Sequence, residues 1–183
     1  MLLLPLHFIK DAAKSVKRVC LDHFKKAEGS LLTELLGISG LIVTVYNITR
    51  EGKHDVLHLW CNHRENIAIC PDCATASDSI HSERHRCVRH LDILGKKTFL
   101  HFLSRRFKCE NCDKVFNEQL PFIEEHRRQT TALELHVYES CLSSNRKKVA
   151  KQIGLSQSTV RDIFNRFAQT KVDHNRELLT SVV

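Results

Sequence analysis

Read for the spacing of its apolar and polar positions, the chain alternates between helix-like and strand-like stretches. From Lys10 to Lys26 the residues Val16, Val19, Cys20 and Phe24 recur near helical spacing among six Lys/Arg, the pattern of a basic amphipathic helix. That stretch reads either as a solvated extension or as a DNA-contacting arm. Leu31 to Leu36 is a short apolar helix stopped at Gly37, and Leu41 to Tyr46 is β-branched enough to be a strand. His54 to Cys61, with Val56, His58 and Trp60 on one side, is its expected partner across the loop from Thr49 to Lys53. Arg86 to Leu91 and Thr98 to Leu103 form a second pair of strands around a turn at Leu94-Gly95-Lys96-Lys97. Beyond a charged linker at Glu124 to Arg128 the period changes to that of helices. Three are expected, reaching about Lys171, the first opened by the capping-box spacing Thr131-Ala132-Leu133-Glu134 with Leu133, Val137 and Cys141 on one stripe.

The cysteines add chemistry to the second strand pair. Cys70-Pro71-Asp72-Cys73 precedes it and Cys109-Glu110-Asn111-Cys112 follows it. Two C-x-x-C turns can supply the four thiolates of a tetrahedral structural zinc site, so Cys70, Cys73, Cys109 and Cys112 are the expected ligands of a Zn²⁺ cofactor. The 35 intervening residues exceed the usual gap, and the hairpin accounts for the excess by carrying the chain out and back. A closed Cys₄ site offers no open coordination position and argues against metal catalysis. His81, His85, Cys87 and His90 lie close in sequence but alternation along a strand cannot bring all of them to one point, which favours surface histidines and a core cysteine over a second metal site.

A second constellation lies between Arg146 and Asn165. Ala150, Gly154, Val160 and Ile163 fall where a helix-turn-helix needs a small residue, a left-handed turn and an inward apolar pair, and Ser156 stands at the N-cap of the second helix. Gln157, Ser158 and Arg161 would then project from the half of the helix that reaches base edges in the major groove. An ordinary helical hairpin with a polar surface is the plainer reading of the same spacing. Charge favours the sharper one: from Leu142 to Val183 eight Lys/Arg face three acids, with Lys147, Lys148 and Lys151 placed to meet phosphates.

Over the whole chain, 183 residues carry a formal charge of +7 and a pI near 9.1, which points to an anionic partner, double-stranded DNA first. Zinc on four thiolates would lower that charge to about +5. Eight cysteines in this arrangement fit a reducing cytoplasm better than a secreted disulfide framework, and the apolar run Met1 to Ile9 is too short to span a membrane. A cytoplasmic, nucleoid-associated protein is expected.

The order of these motifs resembles a known family. Leu-Leu-Gly-Ile-Ser-Gly-Leu at 35 to 41, Cys70-Pro-Asp-Cys73, Ile80-His81-Ser82, Arg105-Arg106-Phe107-Lys108-Cys109, Cys112 and Phe116-Asn-Glu-Gln-Leu120, followed by the helix-turn-helix, is similar to the N-terminal half of insertion-sequence transposases of the ISL-three family. The likeness runs from about Leu31 to Phe167. It implies that ribbon and helix-turn-helix bind an element's terminal repeats, with Arg105 and Arg106 added to the DNA-contacting set. It also implies a downstream domain with a carboxylate triad and divalent metal, which this sequence does not reach; no catalytic residue is assigned, and a truncated transposase is expected.

The fold class expected is α+β, a small β and zinc-ribbon module followed by a helical helix-turn-helix module. Its parts are an N-terminal helical extension (1–29), a small helix and β-hairpin (30–66), a Cys₄ zinc ribbon (67–122), a helix-turn-helix (129–171) and a C-terminal tail (172–183). The expected function is sequence-specific recognition of transposon ends by a chain without catalysis of its own, alone as a homodimer or with a full-length transposase as partner. A transposase-derived transcriptional regulator, or an inhibitor of a full-length transposase, is the alternative.

Overall fold

In the computed structural model the backbone is described over residues 25–26, 29–52 and 54–180, and the side chains over 32–52 and 54–170. The helix expected over Lys10 to Lys26 lies outside the described residues, except that Lys25–Lys26 form a short strand, β1. The chain divides into two compact units, Met1–Thr130 and Thr131–Val183.

In the first unit, α1 (Gly29–Leu35) ends where Gly37 takes a left-handed φ of 62°, a conformation with little cost only for glycine. A hairpin follows, β2 (Leu41–Glu51) and β3 (His54–His63), and Thr33 Oγ1 ties α1 to it by accepting from the Val43 amide at 3.2 Å. Two short strands, β4 (Ala68–Ile69) and β5 (Ala76–Ser77), flank the first cysteine pair. The long hairpin β6 (Ile80–Ile93) and β7 (Lys96–Lys108) turns at Leu94-Gly95, and β8 (Val115–Asn117) returns along β7. Among the described residues the main sheet runs β1-β2-β3-β7-β6, with β8 also on β7.

The join between the hairpins is parallel: β3 pairs with the first half of β7, from Val56 beside Lys97 to Trp60 beside His101, and β8 takes the same edge of β7 further on. Segments 30–66 and 67–122, expected as separate modules, therefore share one sheet. They also share one core, because alternation turns Leu41, Val43, Leu59, Val88, Leu100 and Phe102 to the same face, beneath Leu36, Phe122 and Ile123.

The other face of β3 and β7 is also withdrawn from water. His58, Trp60, Phe99 and His101 stack there, with Trp60 and His101 ring centroids 4.7 Å apart and His58 Nδ1 at 2.9 Å from His101 Nε2. His85 stacks on His101 at 5.5 Å. The expectation of surface histidines and a core cysteine on β6 needs correcting: His90 is buried against Thr130 Oγ1 at 2.9 Å, His85 is half-buried, and Cys87 is exposed. Strand parity explains the split, since Cys87 and His85 share the face of His101 whereas His90 points to the other side.

The second unit contains α2 (Thr131–Ser143), α3 (Arg146–Ile153) and α4 (Gln157–Thr180). The stretch from 172, expected as a tail, continues α4 as helix to Thr180. Leu133 and Val137 of α2, Val149 and Ala150 of α3, and Val160 and Ile163 of α4 are buried, while Tyr138 stacks on Phe164 and Phe167. Glu134, the acid of the capping-box spacing, is buried and accepts from Arg166 Nη2 of α4.

Candidate metal centre and helix-turn-helix

The two knuckles are built alike. In each, a strand leads into Cys-x-x-Cys, β4 in the first and the end of β7 in the second, and the residue after the second cysteine turns left-handed, Ala74 and Asp113 both at φ 56°. The amide of the first cysteine donates back across the turn, Cys70 to Thr75 O at 2.9 Å and Cys109 to Lys114 O at 2.8 Å. The first knuckle sits between β4 and β5 and the second between β7 and β8, and Ser77 Oγ bridges them by donating to Lys108 O at 2.6 Å. Lys114 Nζ also reaches Asp72 Oδ2 at 2.5 Å.

This pairing of turns brings four sulfurs together, all within 4.8 Å of one another. Cys70 to Cys112, Cys73 to Cys109 and Cys73 to Cys112 measure 3.6, 3.5 and 3.7 Å. A tetrahedron with zinc–sulfur bonds of about 2.3 Å has edges of about 3.8 Å, so the donor set fits Zn²⁺ in number, type and size. Hydrogen bonds from the Thr75 hydroxyl and amide, with Asn111 and Cys109, lower the Cys73 thiol to about 5 and favour its thiolate. At Cys112 the Lys114 amide also favours the thiolate, but burial and the three neighbouring sulfurs outweigh it and push the group up to about 12. Four thiolates at this spacing need a cation. Beneath them Phe107 and Phe116 stack at 6.1 Å in a cluster with Cys70 and Cys109, distinct from the larger core of the sheet.

In the second unit, Asn145 caps α3 by accepting from the Lys147 amide at 2.8 Å. Gly154 then takes φ 74° and ψ 35°, donating to Ala150 O, which reverses the chain in three residues. Ser156 Oγ accepts from the Thr159 amide at 3.1 Å and so caps α4. The expected roles of Ala150, Gly154, Ser156, Val160 and Ile163 are all met. Gln157 and Arg161 lie four residues apart on one exposed face of α4, Ser158 is exposed beside them, and Lys147, Lys148 and Lys151 are exposed on α3.

The two arginines before Cys109 part company. Arg106 is exposed. Arg105 is 2 % exposed, and its guanidinium donates to both carboxylate oxygens of Glu118, to Asn66 Oδ1 and to Glu65 O. It has no face to offer a phosphate, and its expected place among the DNA contacts is withdrawn. His63 Nδ1 lies 3.1 Å from the same Glu118 carboxylate. Neither this buried triad nor the His58–His101 pair was visible in the sequence reading, although the alternation Leu103, Arg105, Phe107 already put Arg105 in register with a buried phenylalanine.

A four-cysteine ribbon joined in one chain to a capped, glycine-turned helix pair defines a zinc-binding protein of the DNA-binding class. Residues 68–112 match the zinc-finger of transposase IS204/IS1001/IS1096/IS1165, and residues 118–168 match the helix-turn-helix domain of transposase family ISL3. The chain thus carries the zinc-ribbon and helix-turn-helix domains of ISL3-family transposases, domains that bind DNA in transposition. No curated protein and no solved structure matches it. No described helix is long and apolar enough to cross a membrane.

Proposed function

We propose that the chain recognises a particular duplex sequence, the terminal repeats of an insertion element, by placing the N-terminal half of α4 in the major groove. The observation that supports this reading is the exposure of Gln157, Ser158 and Arg161 on the first turns of a helix whose start is fixed by Gly154 and Ser156. Gln and Arg are the side chains whose paired donors and acceptors match adenine and guanine edges. Lys147, Lys148 and Lys151 neutralise phosphates and set the register, and zinc, when bound, supplies structural cross-linking of the two knuckles and no reaction step.

The test is binding of the zinc-loaded chain to duplexes carrying the ends of the neighbouring element, against scrambled duplexes of equal length, over a salt series. Preference for the ends should persist near physiological salt and fall by about 1–3 kcal/mol in Arg161→Ala or Gln157→Ala. Equal, steeply salt-dependent binding to both duplexes would refute sequence readout.

A further inference from the structure

The face of the β6–β7 ribbon that holds the core does not end with the core. Antiparallel partners share a face, so the pairs Ser82–Arg106 and Arg84–Ser104, together with Arg86 opposite the core residue Phe102, continue the side of Val88 and Leu100 beyond the apolar region as a polar strip. The segment 125–128 passes over this strip and is fixed there. Arg89 donates its amide to Arg128 O at 2.9 Å, Thr130 donates back to Arg89 O at 3.0 Å, and Arg86 Nη2 donates to Arg127 O at 2.5 Å. Between strip and segment lies a cleft of about 450 Å³ whose lining includes Arg84, Arg86, Arg106, Arg127 and Arg128 and no lysine.

The charge of this cleft is not balanced from within. Of the glutamates that line it, Glu118 is engaged by Arg105 and His63, which leaves Glu83 and Glu125, the latter accepting from the neutral Asn117 Nδ2 at 2.9 Å, against the guanidinium groups of Arg84, Arg86, Arg106 and Arg128. Arg86 rests over the Phe102 ring at 5.7 Å, and burial together with the Arg84 charge lowers its pKa. Gathering like charges on one strand face costs stability, and an anion in the cleft would relieve it. Guanidinium forks bind phosphate oxygens in pairs, and Ser82 and Ser104 add hydroxyl donors on the same face. Arg84 and Arg86, two residues apart on one strand, are about 6.6 Å apart, a spacing comparable to that of successive phosphates on one DNA strand.

We infer that this arginine cleft is a second DNA contact, a seat for the phosphodiester backbone within the zinc-ribbon unit and separate from α4. The inference rests on the reading that the chain binds duplex DNA. A backbone seat adds affinity and salt dependence but no base discrimination, because phosphates carry no sequence.

The test uses the full, zinc-loaded chain with two exposed arginines of the ribbon strands neutralised, Arg84→Gln with Arg106→Gln, and folding checked by zinc content and melting temperature. Loss of two phosphate contacts should make the plot of log affinity against log salt shallower by about 1.8, at roughly 0.9 per contact, while the ratio of element-end to scrambled binding stays the same. Arg50→Gln with Arg64→Gln removes the same charge from exposed positions outside the cleft and should leave the slope close to wild type. A wild-type slope in the cleft variant, or an equal change in the outside variant, overturns the inference while DNA binding by the chain stands. Absence of duplex binding by the wild-type chain would instead overturn the proposed function, and the cleft assignment with it.

Discussion

Replacing Glu118 by Ala should unfold part of the first unit without touching any exposed surface. The carboxylate accepts from Arg105 Nε at 3.0 Å and Nη2 at 2.5 Å, and both side chains are almost wholly buried, at 3 % and 11 % exposure. Removal leaves the guanidinium with Asn66 Oδ1 and Glu65 O as neutral acceptors and no counter-charge. Breaking one side of such a buried pair costs about 3–5 kcal/mol, much of it the penalty of an uncompensated cation. With an m-value of about 2 kcal/mol/M the urea midpoint should fall by about 2 M. The pair Arg105→Met with Glu118→Leu removes both charges and should recover most of the loss, since apolar side chains of similar volume replace buried ion pairs at little cost. That double variant should also bind DNA as the wild type does. A midpoint within about 0.5 M of wild type for Glu118→Ala would refute the assigned energetics. A folded double variant with weakened DNA binding would restore Arg105 as a contact.

Other expectations follow from the same geometry. Cys109→Ser should abolish zinc binding and release hydrogen-exchange protection over residues 68–77 and 109–117, while β2, β3 and the paired half of β7 keep theirs, because the Phe107–Phe116 cluster is separate from the main core; retained zinc would refute the ligand set. Gly154→Ala places a Cβ at φ 74° and should cost about 1–2 kcal/mol, read as a lower melting temperature of the helical unit; an unchanged or higher melting temperature would count against the turn as described. Burial, with His58 and His85 alongside, holds His101 down to about 3, and burial with the Arg89 charge holds His90 down to about 4, against 6.5 for both in the unfolded chain. The unfolded chain therefore takes up protons first, so stability is full well above pH 6.5 and falls as pH drops through it, approaching about 1.4 kcal/mol per unit for each residue and reaching about 3 kcal/mol for both between pH 6.5 and 5. Imidazole proton shifts for these two residues that titrate near 6.5 in the folded protein would refute it.

What could be read in the sequence was local. A C-x-x-C turn, an N-cap serine and a left-handed glycine each act over four or five residues, so the ligands of the zinc site and the roles of Ser156 and Gly154 were legible from spacing alone. The parallel pairing of β3 with β7 was not, because it joins segments separated by the whole first knuckle and β6, and nothing in either strand names its partner. Missing that pairing split one sheet into two modules. It also hid the second buried face, where His58 and His101 meet only because Trp60 and His101 are in register. Arg105 was misplaced for a related reason. The resemblance placed the adjacent pair Arg105-Arg106 together among the DNA contacts, whereas on a strand neighbours point to opposite faces.

That parity gives the string Arg105-Arg106-Phe107-Lys108-Cys109 a division of labour. Arg105 turns to Glu118, Phe107 lies under the sulfurs against Phe116, and Cys109 supplies a ligand, so alternate positions hold the unit together. Arg106 and Lys108 turn the other way, to the cleft and to Asp113 at 2.9 Å. The string Phe116-Asn-Glu-Gln-Leu120 answers it from β8, with Phe116 opposite Phe107 and the Glu118 amide donating to Arg105 O at 3.0 Å. Both strings are therefore two sides of one hairpin around the second knuckle, and the metal, the phenylalanine pair and the ion pair all act on the same backbone. Their energies should then be coupled: in a double-mutant cycle, Cys109→Ser and Glu118→Ala together should cost less than the sum of the two singly, because once the knuckle opens the ion pair is already lost.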